Sequence, residues 1–379
     1  PSFTMLFPIF IMAGILGQIL TASKLVNGLV YIMSLFNIPA AVVPGITFVL
    51  CAIMSTVTGS SAAALLGTMP MLFPLGVQMG CPAGLVLGAI CSGAEFGNNL
   101  SPISDVTITS AIGQDVDIVP TVRSRVWYSL TSAIPAFVLF IVFWFIMSDS
   151  SAAVSLTADS ASLKNLFFIV IPILVAVMIF RKVSFLVALI TGNILGIILL
   201  LVMGYTDLAA IFAKDGLLAS GTSSLIDVLI FMALIFVVLA LIEETGVLES
   251  FQKFMLKHAK TPRMAETISG LFTCLFCLIT GSGMSTIAFV SPVTRKITEP
   301  YKIDRTRAAN YIAGFASGIS WMVPHVVNTL TALALALGTG VVGEGFTLMS
   351  FIPYNFFCIG LIVVYWAAIL TGIGRKVEE

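Results

Sequence analysis

Long apolar segments occupy most of this chain and decide what it can fold into. Hydrophobic residues make up 59% of the sequence and charged residues only 9%, whereas soluble globular domains carry about a quarter charged residues. In lipid, a helix satisfies its backbone groups internally and crosses the apolar layer in about 20 residues. The sequence therefore predicts an all-α polytopic membrane protein, with apolar segments at 4–36, 42–76, 84–112, 127–147, 165–180, 183–203, 222–243, 264–294, 308–337 and 350–373.

One segment contains an unusual density of polar side chains, in the stretch Ser92–Ser110 (SGAEFGNNLSPISDVTITS). Pro102 lies near its centre, with the carboxylates Glu95 and Asp105 on either side. Such groups are unfavourable in lipid unless they face a cavity or the protein interior, and proline interrupts a helix. We interpret the stretch as a broken helix whose freed backbone and side chains line a binding site.

The basic residues predict the sidedness of the loops, because lysine and arginine favour the cytoplasmic side. Of 18 basic residues, 15 fall in five groups, and the predicted loops at 37–43, 77–83, 148–163 and 338–349 contain none. This pattern predicts an inner-membrane protein with a cytoplasmic C-terminus. The basic groups, each predicted to lie in a loop or at a chain end, are Arg123 with Arg125, Arg181 with Lys182, Lys253 to Arg263, Arg295 to Arg307, and Arg375 with Lys376.

Segment 264–294 lies between two of these basic groups. It must therefore enter and leave on one side, as a re-entrant hairpin whose tip is Thr280-Gly281-Ser282-Gly283. Glycine allows the tight reversal, and exposed backbone at a tip requires a polar cavity. Segment 42–76 is predicted to form a similar hairpin from the opposite side, with its tip at Thr58–Ser61.

The two hairpins belong to an internal repeat. At an offset of 222 residues, Gly59-Ser60 matches Gly281-Ser282, Pro70 matches Pro292, Pro102 matches Pro324 and Thr107 matches Thr329. Inverted repeats with discontinuous helices are typical of secondary transporters. We expect a first repeat at 1–147, an extracytoplasmic linker at 148–163 and a second, inverted repeat at 164–379.

The hairpin tips and helix breaks are expected to converge on one cavity that binds a hard cation such as Na⁺. A hard cation prefers several oxygen ligands, and Asp105, expected to be buried, would supply the negative charge. Single serines and threonines in membrane helices also serve packing or bond to the preceding turn, and this alternative stays open for each. The candidate oxygen ligands are Ser60, Ser61, Asn98, Asn99, Ser101, Ser104, Thr107, Ser282, Ser285, Asn328 and Thr329.

Two further residues are candidates for proton coupling. Glu95 lies in the same membrane zone as Asp105 and is a candidate proton carrier, or else a cavity-wall residue paired with an amide. His325 can titrate near neutral pH or simply bond to a carbonyl. Five other charged residues have simpler interpretations. Glu243 and Glu244 end a helix at the cytoplasmic side, with a coupling role as their alternative, and Asp227 begins a helix. Arg305 and Arg307 set orientation, with contact to an anion at the cytoplasmic mouth as their alternative.

The central motif resembles that of a known family. FGNNLSPISDVTITSA is similar to the FGD-x-x-SP-x-SDTT signature of the NhaC-type sodium/proton antiporters in the ion transporter superfamily, and TGSS and TGSGMSTIAFVSP resemble that family's hairpin stretches. The resemblance covers essentially the whole chain. It implies two inverted repeats, Na⁺/H⁺ or substrate exchange, and further helices before Pro1. By analogy with the superfamily it implies an elevator-like homodimer.

The chain departs from the family motif where Asn98 replaces the usual aspartate and Val106 replaces the first of two threonines. Glu95 is a candidate replacement for the missing charge. The alternative is a Na⁺- or H⁺-coupled transporter of a small organic acid or amino acid, whose carboxylate the helix N-termini at the hairpin tips would receive.

Other classes of protein fit less well. A serine hydrolase using Ser282 and His325 lacks an acid to orient the histidine, and nothing resembles the selectivity filter of a channel. The net charge of zero argues against a nucleic-acid partner. We expect no enzyme activity, no cofactor other than Na⁺ as a transported ion, and the lipid bilayer as the surrounding partner.

Overall fold

The computed structural model describes residues 2–36, 39–147, 160–181, 183–223, 258–343 and 345–375, together with the isolated positions 226, 230, 233, 234, 237 and 241. Most of the predicted linker, and the residues Asp227, Glu243 and Glu244, lie outside this described part of the chain. The elements below are numbered within it.

Seven helices precede the linker in the described ranges, as the apolar segments predict. The third begins after a 3₁₀ turn at Ala40–Val42. They are α1 (Ser2–Ala22), α2 (Leu25–Leu35), α3 (Val43–Thr58), α4 (Ser61–Gln78), α5 (Ala83–Leu100), α6 (Asp105–Gln114) and α7 (Ile118–Met147).

Nine further α-helices follow the linker in the described ranges. A 3₁₀ segment at Ser160–Ile169 precedes them, and short 3₁₀ turns lie at Glu299–Tyr301, Leu348–Ser350 and Ile352–Tyr354. The helices are α8 (Val170–Phe180), α9 (Phe185–Val202), α10 (Leu208–Phe212), α11 (Leu217–Ser223), α12 (Pro262–Thr280), α13 (Gly283–Thr298), α14 (Arg305–Ser320), α15 (Val327–Gly338) and α16 (Phe356–Thr371).

Five of the described helices are long and apolar enough to cross a membrane, or up to seven spans if each of two bent helix pairs counts as one. Large hydrophobic side chains cover the outer faces of α7 and α9: Phe145 is 66% exposed and Ile194 is 56% exposed. Water would not favour so much exposed apolar surface, whereas lipid does. These features confirm an all-helical, polytopic membrane protein.

The three long polar-interrupted segments and segment 308–337 are each divided into two helices, as the sequence predicts. Breaks separate α3 from α4, α5 from α6, α12 from α13, and α14 from α15. The offset of 222 residues relates the starts of these helices: α4, α5 and α6 begin at 61, 83 and 105, and α13, α14 and α15 begin at 283, 305 and 327. The two halves thus share one order of elements.

The two hairpin turns have the same local structure. Gly59 and Gly281 adopt left-handed φ angles of +66° and +59°, which a residue with a Cβ rarely adopts. The serine that follows each glycine caps the next helix: Ser60 Oγ accepts from Ala63 N at 3.2 Å, and Ser282 Oγ accepts from Ser285 N at 3.3 Å. These N-caps satisfy amides that would otherwise lack partners.

Each glycine also packs on the helix break of its own half. A Cβ on Gly59 would lie 2.7 Å from Cγ1 of Ile103, and a Cβ on Gly281 would lie 2.9 Å from Cδ2 of His325. Ile103 and His325 are themselves 222 residues apart. The close packing of tip on break is therefore repeated in both halves.

The short helices after the breaks pack on the opposite half. Helix α6 packs on α13 and α14, and α15 packs on α4. The α6 contact is close, because Gln114 Nε2 donates to the carbonyl of Ser291 at 2.6 Å and a Cβ on Gly113 would lie 2.4 Å from Ser291 Cβ. The halves are therefore joined through their broken helices.

Helix α5 is buried over nearly its whole length and packs tightly against α3. The close approach depends on Gly93 and Gly97, where an added Cβ would lie 2.2 Å from the carbonyl oxygens of Phe48 and Ala52, respectively. The neighbouring atoms are backbone and cannot move aside as a flexible side chain can. The GxxxG spacing thus sets the distance between these helices.

We expect Gly97→Ala to destabilise the protein by about 1–3 kcal/mol, because a methyl group would overpack the α3–α5 contact. The apparent melting temperature of the purified protein in detergent measures this effect. Gly67→Ala on α4 is the matched control, since no atom lies within 4 Å of its added Cβ. Equal melting temperatures for the two variants would contradict the argument.

The structure corrects the prediction that Arg307 lies in a loop. It lies in the first turn of α14, is only 6% exposed, and donates from Nε to Glu266 Oε1 at 2.6 Å. Arg375 also pairs with Glu266, whose side chain is fully buried on α12. The cluster joins α12, α14 and the end of α16, because Arg307 also donates to the carbonyls of Ala368 and Ile373.

We expect Glu266→Gln to destabilise the protein by about 3–5 kcal/mol, because the buried Arg307 and the partly buried Arg375 would lose their shared carboxylate. Glu299→Gln removes an exposed partner of Arg305 and should change stability by less than about 1 kcal/mol. Thermal unfolding of both variants in detergent makes the comparison. A melting temperature for Glu266→Gln that matches the Glu299→Gln variant would rule out a stabilising role for the cluster.

Candidate functional site

Glu95 is the buried carboxylate of the central stretch. It lies on α5, is 2% exposed, and its Oε2 accepts from the indole Nε1 of Trp321 at 2.7 Å. Trp321 is fully buried at the end of α14, and its carbonyl accepts from Asn355 Nδ2 at 2.8 Å. The carboxyl group of one half thus contacts the helix break of the other.

Asp105 is exposed, so the prediction that it is buried is wrong. It is the first residue of α6, where the positive end of the helix dipole favours a carboxylate. Its Oδ1 accepts from Val106 N at 2.8 Å. A side chain at this first position points away from the helix packing, which explains its exposure.

Several acceptor oxygens near these carboxylates are buried without partners. Asn98 Oδ1, Asn99 Oδ1 and Ser101 Oγ have no hydrogen-bond partner within the described structure. Buried polar atoms normally find one, and such exceptions call for a ligand or a water. All three belong to the end of α5 or the residue after it, where the helix stops.

The hydroxyl groups at the start of α6 cap that helix. Ser104 Oγ accepts from Thr107 N at 3.2 Å and donates to Thr107 Oγ1 at 2.9 Å. Thr329, the equivalent of Thr107, donates to the carbonyl of Ser320 at 3.4 Å across the second break. Ser104 therefore caps α6, and Thr329 bridges the second break.

The remaining candidates lie at the hairpin tips. Asn328 Nδ2 donates to Ser61 Oγ at 3.4 Å, which joins the second break to the first tip. Ser282 and Ser285 bond to each other at 3.1 Å at the second tip, where Ser285 is exposed. His325 is half-buried beside Gly281.

Two cavities in the described part of the chain lie beside candidate residues, and Glu95 and Asp105 line neither of them. A cavity of about 390 Å³ is lined by Thr58, Ser60 and Ile103, with apolar residues of α1 and α9. A second, of about 690 Å³, lies between α6 and α13, where Thr109 and Arg295 line it. The physical reason is that Glu95 and its neighbours are enclosed by helix packing, while the tips lie nearer the surface.

Arg125 is a buried residue of the site, although the distribution of charge predicts that it lies in a loop. It lies within α7, is fully buried, and donates to Asn99 O, Thr107 Oγ1, Ser110 Oγ and Asn310 Oδ1 at 3.0–3.2 Å. A signal exists in the sequence: Thr121, Arg125, Ser129 and Ser132 form a polar stripe at helical spacing, and all four are buried. The sequence around Trp321 contains no comparable pattern that would predict its contact with Glu95.

Comparisons with known proteins agree with this architecture. Residues 2–145 match the sequence model of the Na⁺/H⁺ antiporter family. The chain is 26% identical over 345 residues to the malate-2H⁺/Na⁺-lactate antiporter of Bacillus subtilis, covering 84% of this chain and 72% of that protein. It is 22% identical over 357 residues to the Na⁺/H⁺ antiporter NhaC of Bacillus subtilis, covering 86% of this chain and 74% of the relative.

A second NhaC, from Alkalihalophilus pseudofirmus, is 29% identical over 177 residues, which are 44% of this chain and 37% of that protein. The central motif, the repeated breaks and these matches agree with one another. Its first part therefore matches the Na⁺/H⁺ antiporter family, and most of its length is similar to named antiporters, NhaC among them.

Proposed function

We propose that the protein is a secondary active transporter that exchanges Na⁺ for H⁺, or couples Na⁺ to a second solute, at the break between α5 and α6. The observation that carries the proposal is Glu95: a buried carboxyl group held by Trp321 between the two halves, beside unpartnered oxygens. A buried ionisable residue in a membrane helix is a functional candidate by default.

The proposed cation ligands are the accessible Asp105 carboxylate and the oxygens at the end of α5. Asn98 and Ser101 contribute free acceptors there. Asp105 is open to an entering ion, whereas Glu95 is enclosed, so the two carboxylates have separate roles. Asp105 receives Na⁺, and Glu95 exchanges a proton as the site changes occupancy. His325 is the second candidate for proton coupling, and Ser60, Ser61, Ser282, Ser285, Asn328 and Thr329 stay candidates for ion contacts during the cycle.

The shared order of elements supports an inverted-repeat architecture with re-entrant hairpins. We propose the repeats 1–147 and 164–379, joined by an extracytoplasmic linker at 148–163, in an inner-membrane protein with a cytoplasmic C-terminus. An elevator-like homodimer is proposed by analogy with the superfamily. The packing of each tip on its own break, which is repeated in both halves, supports movement of these parts as units.

A small organic anion is the second candidate substrate. The relative from Bacillus subtilis that is named a malate-2H⁺/Na⁺-lactate antiporter aligns with 84% of this chain, which favours this alternative over an amino acid. The amide ends of α4 and α13, capped by Ser60 and Ser282, would attract a carboxylate. Ser282 Oγ is engaged as a cap, which favours a transporter over a hydrolase.

Na⁺-driven proton movement tests the proposal directly. We expect proteoliposomes with a trapped pH dye to show it for the wild type and to lose it for Asp105→Asn and Glu95→Gln, because each variant removes a charge that the exchange needs. Asp117→Asn, an exposed carboxylate beyond α6, is the matched control and should retain transport.

Absence of proton movement in well-reconstituted wild type would refute Na⁺/H⁺ exchange. In that case, we expect Na⁺-dependent uptake of radiolabelled malate or lactate in the same vesicles, lost again in Asp105→Asn. Transport of neither ions nor organic acids would refute both candidates.

A further inference from the structure

Arg125 differs from the other buried arginine, Arg307, in making no direct ion pair within the described structure, although Glu95 lies near enough to attract its charge. No carboxylate lies within ion-pair distance of Arg125 among the described residues, whereas Arg307 pairs with Glu266. Its positive charge is held instead by four neutral oxygens. A buried charge normally requires pairing or extensive hydrogen bonding, so this arrangement needs an explanation.

The four oxygens come from three helices that meet at the first break. Asn99 O is a backbone carbonyl near the end of α5, at 3.1 Å from Nη1. Thr107 Oγ1 and Ser110 Oγ belong to α6, at 3.0 and 3.2 Å, and Asn310 Oδ1 belongs to α14, at 3.0 Å. One carbonyl, one amide oxygen and two hydroxyls make a set that a hard cation would also accept.

This set overlaps the cation ligands that the sequence predicts. Asn99 and Thr107 are candidate Na⁺ ligands, and the guanidinium group of Arg125 occupies both. The ammonium or guanidinium group of a side chain and a free cation satisfy such oxygens by the same electrostatic attraction. The side chain, however, stays attached to the protein when the transported ion leaves.

We propose that Arg125 is a tethered cation: a guanidinium group that fills a second cation position beside the transport site, so that fewer free cations are bound per cycle. The inference rests on the proposed function, because it concerns the number of Na⁺ ions bound at the proposed transport site between α5 and α6. The fixed charge also repels a second Na⁺ from the oxygens around it.

Removal of the guanidinium group should open the position to free ions. We expect purified Arg125→Ala in detergent to bind one more Na⁺ per chain than wild type, measured with radiolabelled Na⁺ at constant ionic strength. Its melting temperature should rise more steeply with Na⁺ concentration than that of wild type, because a ligand that binds only the folded state stabilises it.

Arg125→Lys is the matched control, since it retains the charge and should bind the same number of Na⁺ ions as wild type. Where Arg125→Ala is unstable, millimolar guanidinium ion supplied in solution should restore its melting temperature, as should Na⁺. Unchanged Na⁺ stoichiometry in folded Arg125→Ala, or an unstable variant that neither ion rescues, would overturn the inference.

These results are separable from the proposed function. Proton movement by the wild type tests exchange, whereas the Na⁺ count of Arg125→Ala tests the tethered cation. If the variant gains a Na⁺ ion while the wild type moves no protons, the inference stands and Na⁺/H⁺ exchange fails.

Discussion

Interrupting a helix inside an apolar layer leaves carbonyl groups at one end and amide groups at the other without helical partners. The centre of this protein is organised around that constraint. At the first break, Ser104 Oγ accepts a hydrogen bond from the amide of Thr107 in α6, and Arg125 donates to the carbonyl of Asn99 at the end of α5. The amide end is satisfied by a neutral cap and the carbonyl end by a positive charge.

The two halves solve the same problem with different chemistry. Their tips are alike in hydrogen bonding, since Thr58 and Thr280 each bond to the residue two positions later. Their breaks are not alike: the first contains carboxylates, whereas the second contributes Trp321 and His325. The same backbone arrangement therefore places the carboxyl group of Glu95 in the first half and its hydrogen-bond donor, Trp321, in the second.

Much of this arrangement follows from the sequence. The positions of the breaks were predicted because proline and the Thr-Gly-Ser stretches act locally, through φ angles and caps that neighbouring residues determine. The sequence also predicts that Glu95, if buried, needs a partner, because an unpaired carboxylate is unfavourable in an apolar segment. Its partner Trp321 lies 226 residues away in the chain, and a pairing over that distance leaves no local pattern.

Arg125 and Arg307 are buried, contrary to the prediction that they lie in loops, and the reason is related. A basic residue at the edge of an apolar segment predicts a loop by the distribution of charge, yet Arg125 and Arg307 extend inward to oxygens on distant helices. Only the buried polar stripe of α7 distinguishes Arg125. The exposure of Asp105 depends on how α6 is oriented, which its own sequence does not determine.

The glycines at the two tips have a mechanical consequence. Because Gly59 and Gly281 lack a Cβ, each tip lies in direct contact with the break of its own half, and the two pieces of backbone must shift together. Among the described residues, one hydrogen bond links a tip to the opposite break, from Asn328 Nδ2 to Ser61 Oγ at 3.4 Å. Each tip and its break thus form one stiff wedge, and the bonds between Gln114 and Ser291 and between Trp321 and Glu95 hold the two halves together. Movement of one wedge against the other would have to break these bonds or carry both halves along.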